Sequence, residues 1–119
     1  RDNGWTVVGA NYELYGRAEL DLVAVKDDTV AFVEVKTRTR EGLFPPSEAV
    51  GREKEKNLAA AAQSFLNNSV AGELIRPGME VRFDIIEIIL LSLREGSVNH
   101  IKNAFTADVF VPEPDGGRE

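Results

Sequence analysis

Apolar and polar residues follow two different periods along this chain. From Gly16 to Lys36, in GRAELDLVAVKDDTVAFVEVK, they alternate with a period of two, as strands do. Glu19, Asp21, Val23 and Val25 fall on one face of a first strand, and Val30, Phe32, Glu34 and Lys36 on one face of a second. The opposite faces carry Leu20, Leu22 and Ala24, then Ala31, Val33 and Val35, so the pair is apolar on both sides near its tip, as in a sheet covered on both faces. Asp27-Asp28 reads as a two-residue hairpin loop, which pairs Lys26 with Thr29. Continued down the strands, that register sets Asp21 opposite Glu34 and Glu19 opposite Lys36.

The period changes to that of a helix after Ser47. Ser47 is a good N-cap, Glu48 suits the first turn, and Val50, Leu58, Ala61, Ala62, Phe65 and Leu66 form one apolar stripe of a helix ending near Asn67 or Asn68. Lys54 lies on that stripe between Val50 and Leu58, so it is aimed at the sheet or its edge, either snorkelling or reaching a phosphate. Ahead of the hairpin, Trp5 to Leu14 reads as a strand closing in a turn. Between hairpin and helix, Thr37 to Pro46 reads as a loop that leaves the sheet beside Lys36, which puts Arg38 and Arg40 near the site or simply on a solvated loop. Met79 to Leu93 gives the longest strand pattern. A turn at Arg94 to Ser97 and a short strand from Val98 to Ile101 follow, and Asn103 to Val111 fits either a helical turn or a strand. Residues 1–111 make one domain, and Pro112 to Glu119 reads as a disordered tail.

Composition narrows the function. The formal net charge of -6 and the absence of cysteine exclude bulk electrostatic gripping of nucleic acid, disulfides and thiol chemistry, and suit a reducing cytoplasm. The longest apolar run, Ile85 to Leu93, is interrupted by Glu87 and is too short to span a bilayer. A chain opening on Arg1 rather than methionine is expected to lack its natural N-terminus.

The charges on the hairpin form the pattern Asp-x12-Glu-x-Lys over Asp21, Glu34 and Lys36, with Glu19 two residues before the aspartate. Opposed carboxylates repel, and a divalent cation such as Mg²⁺ (or Mn²⁺) held by Asp21 and Glu34 would offset that. Phosphodiester hydrolysis needs such a metal to polarise the phosphoryl group and activate water. Beside uncompensated carboxylates Lys36 favours its charged form, so it is assigned positioning and electrostatic stabilisation rather than proton abstraction. The bland alternative is an exposed cross-strand pair between Glu19 and Lys36. Arg82 and Asp84 are expected to pair with each other or with a neighbour. His100 has no partner nearby in sequence and is read as structural.

GRAELDLVAV followed by AFVEVKTR resembles the YraN-like family of predicted endonucleases, which belongs with the PD-(D/E)XK, restriction-endonuclease-like fold and is similar to archaeal Holliday junction resolvases. The resemblance extends through Ala49-Val50 to Lys54, Arg82-Phe83-Asp84 and Asn103-Ala104-Phe105. It implies an α/β fold with a central mixed sheet, a hairpin carrying the site, and flanking helices. It further implies metal ligation by Asp21 and Glu34, a catalytic Lys36, and Glu19 as the acid of a Glu-x-Asp motif. Arg17, Arg38, Arg40 and Lys54 are the local basic residues expected to meet DNA. Ala18 departs from the family's usual glycine, and the family's N-terminal helix, with its glutamate, would lie before Arg1. The leading expectation is a Mg²⁺- or Mn²⁺-dependent DNA endonuclease. The alternatives are a non-catalytic nucleic-acid-binding scaffold that kept the fold, or a homodimer surface on the hairpin face or strand edges.

Overall fold

A computed structural model describes residues 4–14, 16, 18–39, 51–68, 74–92 and 95–113. Five strands and one helix follow one another as β1 (Thr6–Leu14), β2 (Ala18–Lys26), β3 (Thr29–Thr39), α1 (Arg52–Asn68), β4 (Glu80–Leu90) and β5 (Gly96–Phe105). The strands form one sheet in the order β1-β2-β3-β4-β5. All neighbours are antiparallel except β3 and β4, which are parallel and are connected through α1. The protein is therefore a mixed α/β domain.

The hairpin forms as its alternation dictates. Lys26 pairs with Thr29, Val25 with Val30 and Leu22 with Val33, and Asp27 takes a φ of 54°, the left-handed conformation that Asp tolerates better than most residues. Val23 and Val30 are fully buried and Phe32 is nearly so; side chains of this size contribute roughly 1.5–3 kcal/mol each on burial.

Helix α1 covers the face of the sheet that bears these residues. Its first described backbone bond runs from Glu55 N to Gly51 O, with Glu53 and Glu55 acidic in the first turn, where they favour the helix dipole. At the other end Asn68 Nδ2 donates to the Ser64 carbonyl. The expected stripe is the buried one: Leu58, Ala61, Ala62 and Leu66 are buried and Phe65 packs against them. Val50 and the proposed cap Ser47 lie outside the described residues.

Two alanines with no exposed surface, Ala61 and Ala62, and a bare backbone at Gly9 bring helix and sheet close together. A Cβ on Gly9 would stand 2.8 Å from the Phe65 ring. Phe65 meets Tyr12 edge-on at 5.3 Å and Phe32 at 6.1 Å; Phe32 stacks on Phe83 at 5.6 Å, and Phe83 on Phe105 at 4.7 Å. One line of rings thus ties β1 to β5 beneath the helix.

Two expectations need correction, and one open choice is resolved. The last strand runs from Gly96 to Phe105 rather than from Val98 to Ile101. Its side chains are mostly exposed, so no alternation marks its ends. Asn103 to Val111 is not helical: it is strand as far as Phe105 and irregular after, with Val111 buried, while Phe110 N–H donates to Gln63 Oε1 of α1 at 3.2 Å and its carbonyl accepts from Gln63 Nε2 at 2.9 Å. Flanking helices were expected on the sheet; among the described residues α1 is the one helix. On the other face Trp5 lies against Lys26 and Arg82, at 5.9 and 5.4 Å.

Candidate active site

The hairpin ladder stops one residue short of the acids. Leu22 with Val33 is its last rung, and Asp21 does not pair with Glu34 as the extrapolated register requires. Instead Asp21 Oδ2 accepts the backbone N–H of Val35 at 2.7 Å, so a side chain takes the place of a ladder carbonyl. On its other side Asp21 also breaks the pairing with β1, where Ala10 meets Leu22, Tyr12 meets Leu20, and the intervening Asn11 adopts a φ of 55°. Leu20 and Val23 both join the core beneath α1 although they are three residues apart. The strict alternation expected to put Asp21 and Val23 on one face is therefore interrupted at Asp21. The irregularity re-aims a side chain, as bulges do.

Glu34 and Lys36 extend beyond the last rung shared with β2 while staying in parallel register with Ile85 and Glu87 of β4. This leaves an open cleft of about 640 Å³ between the β2 edge and the start of α1. Its lining carries five carboxylates, on Glu13, Glu19, Asp21, Glu34 and Glu53, together with Lys54, Asn57 and Leu58. Glu34 Oε2 accepts from Lys54 Nζ at 2.9 Å and from Lys36 Nζ at 3.3 Å.

The cross-strand pair of Glu19 and Lys36 does not form. Glu19 stands opposite Glu13 of β1, a like-charge juxtaposition at the cleft, and Lys36 is paired with Glu34. Arg17 and Arg40 lie outside the described residues. Arg38 is not in a loop, because β3 runs on to Thr39 and sets Arg38 in register with Ile89 of β4; its side chain lies outside the described set.

Two ammonium groups on one carboxylate oxygen set the electrostatics. The Lys36 amine is held below the usual lysine range by burial and by Lys54, which together outweigh Glu34. Lys54 is held above it: burial works against its charge, but its contacts with Lys36 and Glu34 and the charge of Asp21 more than offset that. The shift thus runs opposite to the one expected beside uncompensated carboxylates, because burial and the second lysine from α1 outweigh the attraction of Glu34.

Among the described residues no three His, Cys, Asp or Glu side chains converge as a metal cage. The donor set still fits a hard divalent cation. Asp21 and Glu34 each commit one oxygen to the contacts above and retain a second, and Mg²⁺ commonly takes one or two carboxylates and fills its other positions with water or phosphate.

Sequence reasoning missed Glu13, Glu53 and Asn57 at the cleft. It also missed Glu87, the neighbour of Lys36 in register, which is 3% exposed.

A second polar cluster lies on β4 and β5. Asp84, 2% exposed and set between the core residues Phe83 and Ile85, accepts from Arg82 Nη2 at 2.6 Å and from the Asn103 N–H at 2.9 Å, and lies 2.8 Å from His100 Nε2. Burial alone would raise its carboxyl, but Arg82, the Asn103 amide and His100 together hold it below the usual range. The expected pairing of Arg82 with Asp84 is present, and His100 joins it from across the β4–β5 pair.

The fold and cleft define a mixed α/β protein with a concentrated set of charges where a hairpin ladder breaks. The chain belongs to the uncharacterised protein family UPF0102, the YraN-like family, which it matches over residues 1–88. It is 34% identical to the UPF0102 protein of Alkaliphilus oremlandii over 105 residues, covering 88% of this chain and 86% of that one. The UPF0102 protein of Syntrophomonas wolfei is 40% identical over 106 residues, or 88% of this chain and 85% of that one. That of Chloroherpeton thalassium is 40% identical over 96 residues, 81% and 70% of the two chains. Among the described residues no helix is long and apolar enough to cross a membrane.

Proposed function

We propose that this protein is a metal-dependent DNA endonuclease of the PD-(D/E)XK, restriction-endonuclease-like type, acting on branched DNA or on repair and recombination intermediates. The observation that carries the reading is the approach of Lys36 and Lys54 to one oxygen of Glu34, beside an Asp21 released from the ladder. Asp21 and Glu34 would hold Mg²⁺ or Mn²⁺, which when bound supplies Lewis-acid polarisation of the phosphoryl oxygen and an acidified water.

The chain's own residues do the rest. Val35 N–H fixes the Asp21 carboxylate, so that ligand does not wander. Lys36, with its pKa lowered, exchanges a proton with a nearby water more readily than a free lysine does, and as an ammonium it offsets charge developing on phosphorus. Lys54, with Arg17, Arg38 and Arg40, is assigned the backbone phosphates, and Glu19 a place at the site's rim.

A second reading, a scaffold that keeps the fold and binds nucleic acid without cutting it, draws on the five carboxylates of the cleft, which repel phosphate unless a cation intervenes. Labelled branched and linear DNAs, incubated with the protein in Mg²⁺, Mn²⁺ or EDTA, separate the two. Cleavage that needs metal and vanishes in Glu34→Ala supports the nuclease, whereas metal-independent binding of uncut DNA supports the scaffold.

A further inference from the structure

The position of Lys54 on Glu34 raises the question of how a cation would reach that carboxylate. We infer that Lys54 is the site's resident counter-cation, and that a divalent metal taking up the Glu34 carboxylate, whose Oε1 is uncommitted, competes with its ammonium and displaces it from Oε2. The inference rests on the metal-dependent reading above and concerns how the site is loaded.

Oε2 of Glu34 already accepts from Lys54 at 2.9 Å and Lys36 at 3.3 Å, which fills the lone pairs of one carboxylate oxygen. The Asp21 side of the site cannot adjust, because turning its carboxylate would strip the acceptor from Val35 N–H. The two lysines differ in freedom. Lys36 stands on a strand with 23% of its side chain exposed, whereas Lys54 reaches in from the first turns of α1 with 41% exposed. The shorter contact is thus made by the side chain with the easier way out.

Lys54 also lines the cleft, so an ammonium displaced from Glu34 stays within it, where a substrate phosphate would lie. Metal loading and phosphate binding are coupled through one side chain. The coupling is reciprocal: what favours release of Lys54 at one site favours binding at the other.

The test is titration of the purified chain with Mn²⁺ by calorimetry at pH 7 without nucleic acid, comparing wild type with Lys54→Met and Lys54→Arg. Methionine keeps most of the aliphatic stem and removes the charge; arginine keeps the charge. Lys54→Met is expected to bind Mn²⁺ on the order of fivefold to tenfold more tightly, the effect of removing one positive charge a few ångströms from a divalent ion near water. Lys54→Arg is expected to stay within about twofold of wild type on the same reasoning. Equal Mn²⁺ affinity in wild type and Lys54→Met, or weaker binding in the variant, overturns the exchange and leaves the metal reading standing. No Mn²⁺ binding in either protein removes the metal reading and the exchange together.

Discussion

Val35 gives its backbone N–H to the side chain of Asp21, at 2.7 Å, at the point where the β2–β3 ladder ends. The aspartate is thus both a structural acceptor and a free-standing carboxylate at a cleft. Substitutions can separate the two roles. Asp21→Asn keeps an acceptor oxygen and is expected to cost less than about 1 kcal/mol, whereas Asp21→Ala orphans the Val35 amide and should cost about 1–3 kcal/mol. Urea unfolding measures both. Metal-dependent cleavage should be lost in both variants, including the one that remains stable.

The two acids of the hairpin were legible as a pair, but their geometry was not. Alternation and an Asp-Asp loop were enough to place the register from Lys26 and Thr29 to Leu22 and Val33, because turn length fixes pairing locally. Beyond that, a left-handed Asn11 on a neighbouring strand and a side chain replacing a carbonyl decide the outcome, and neither leaves a periodic trace. The stripe of α1 showed that Lys54 faces inward, without revealing Glu34 as its partner. Asp84 and His100 lie sixteen positions apart on strands whose register shifts between Phe83 and Ile85, so spacing alone could not join them.

Gly9→Ala tests the close approach of helix and sheet. The new methyl would press on a Phe65 ring already held edge-on by Tyr12 and Phe32. Overpacking of this kind typically costs about 1–3 kcal/mol. A double-mutant cycle with Phe65→Leu should recover part of that loss if the ring is what the methyl meets.

The Asp84 cluster predicts a pH signature. Its carboxyl is held below the ordinary range in the folded state, so the unfolded chain binds the extra proton first as pH falls. The stabilisation is fully present above the unfolded value, about 3.9, and is lost as pH drops through the folded value. Asp84→Asn takes from Arg82 the carboxylate it is bonded to, leaving only the charge of Glu80 near it, and is expected to cost about 3 kcal/mol at pH 7. Below pH 4 the variant should lose stability less steeply than wild type in urea titrations. Parallel slopes would show that Asp84 does not carry the effect.

Lys36 shares that pH direction but differs in what its charge does for the fold. Its folded pKa is depressed, so its contribution to stability is greatest above the unfolded lysine value and falls as pH drops through the folded one. Where it is charged in both states, the fold gains nothing from that charge, and Lys36→Met should leave the urea midpoint unchanged or slightly raised.

That variant also provides the most direct measurement of the central claim, that the charges at the ladder break serve chemistry rather than the fold. Lys36→Met and wild type are compared for cleavage of labelled branched DNA at saturating Mn²⁺ and, in the same preparations, for the urea midpoint. The expected result is a cleavage rate lowered by at least about a hundredfold with no loss of stability. Undiminished cleavage by the variant, or an unfolded variant, would contradict it.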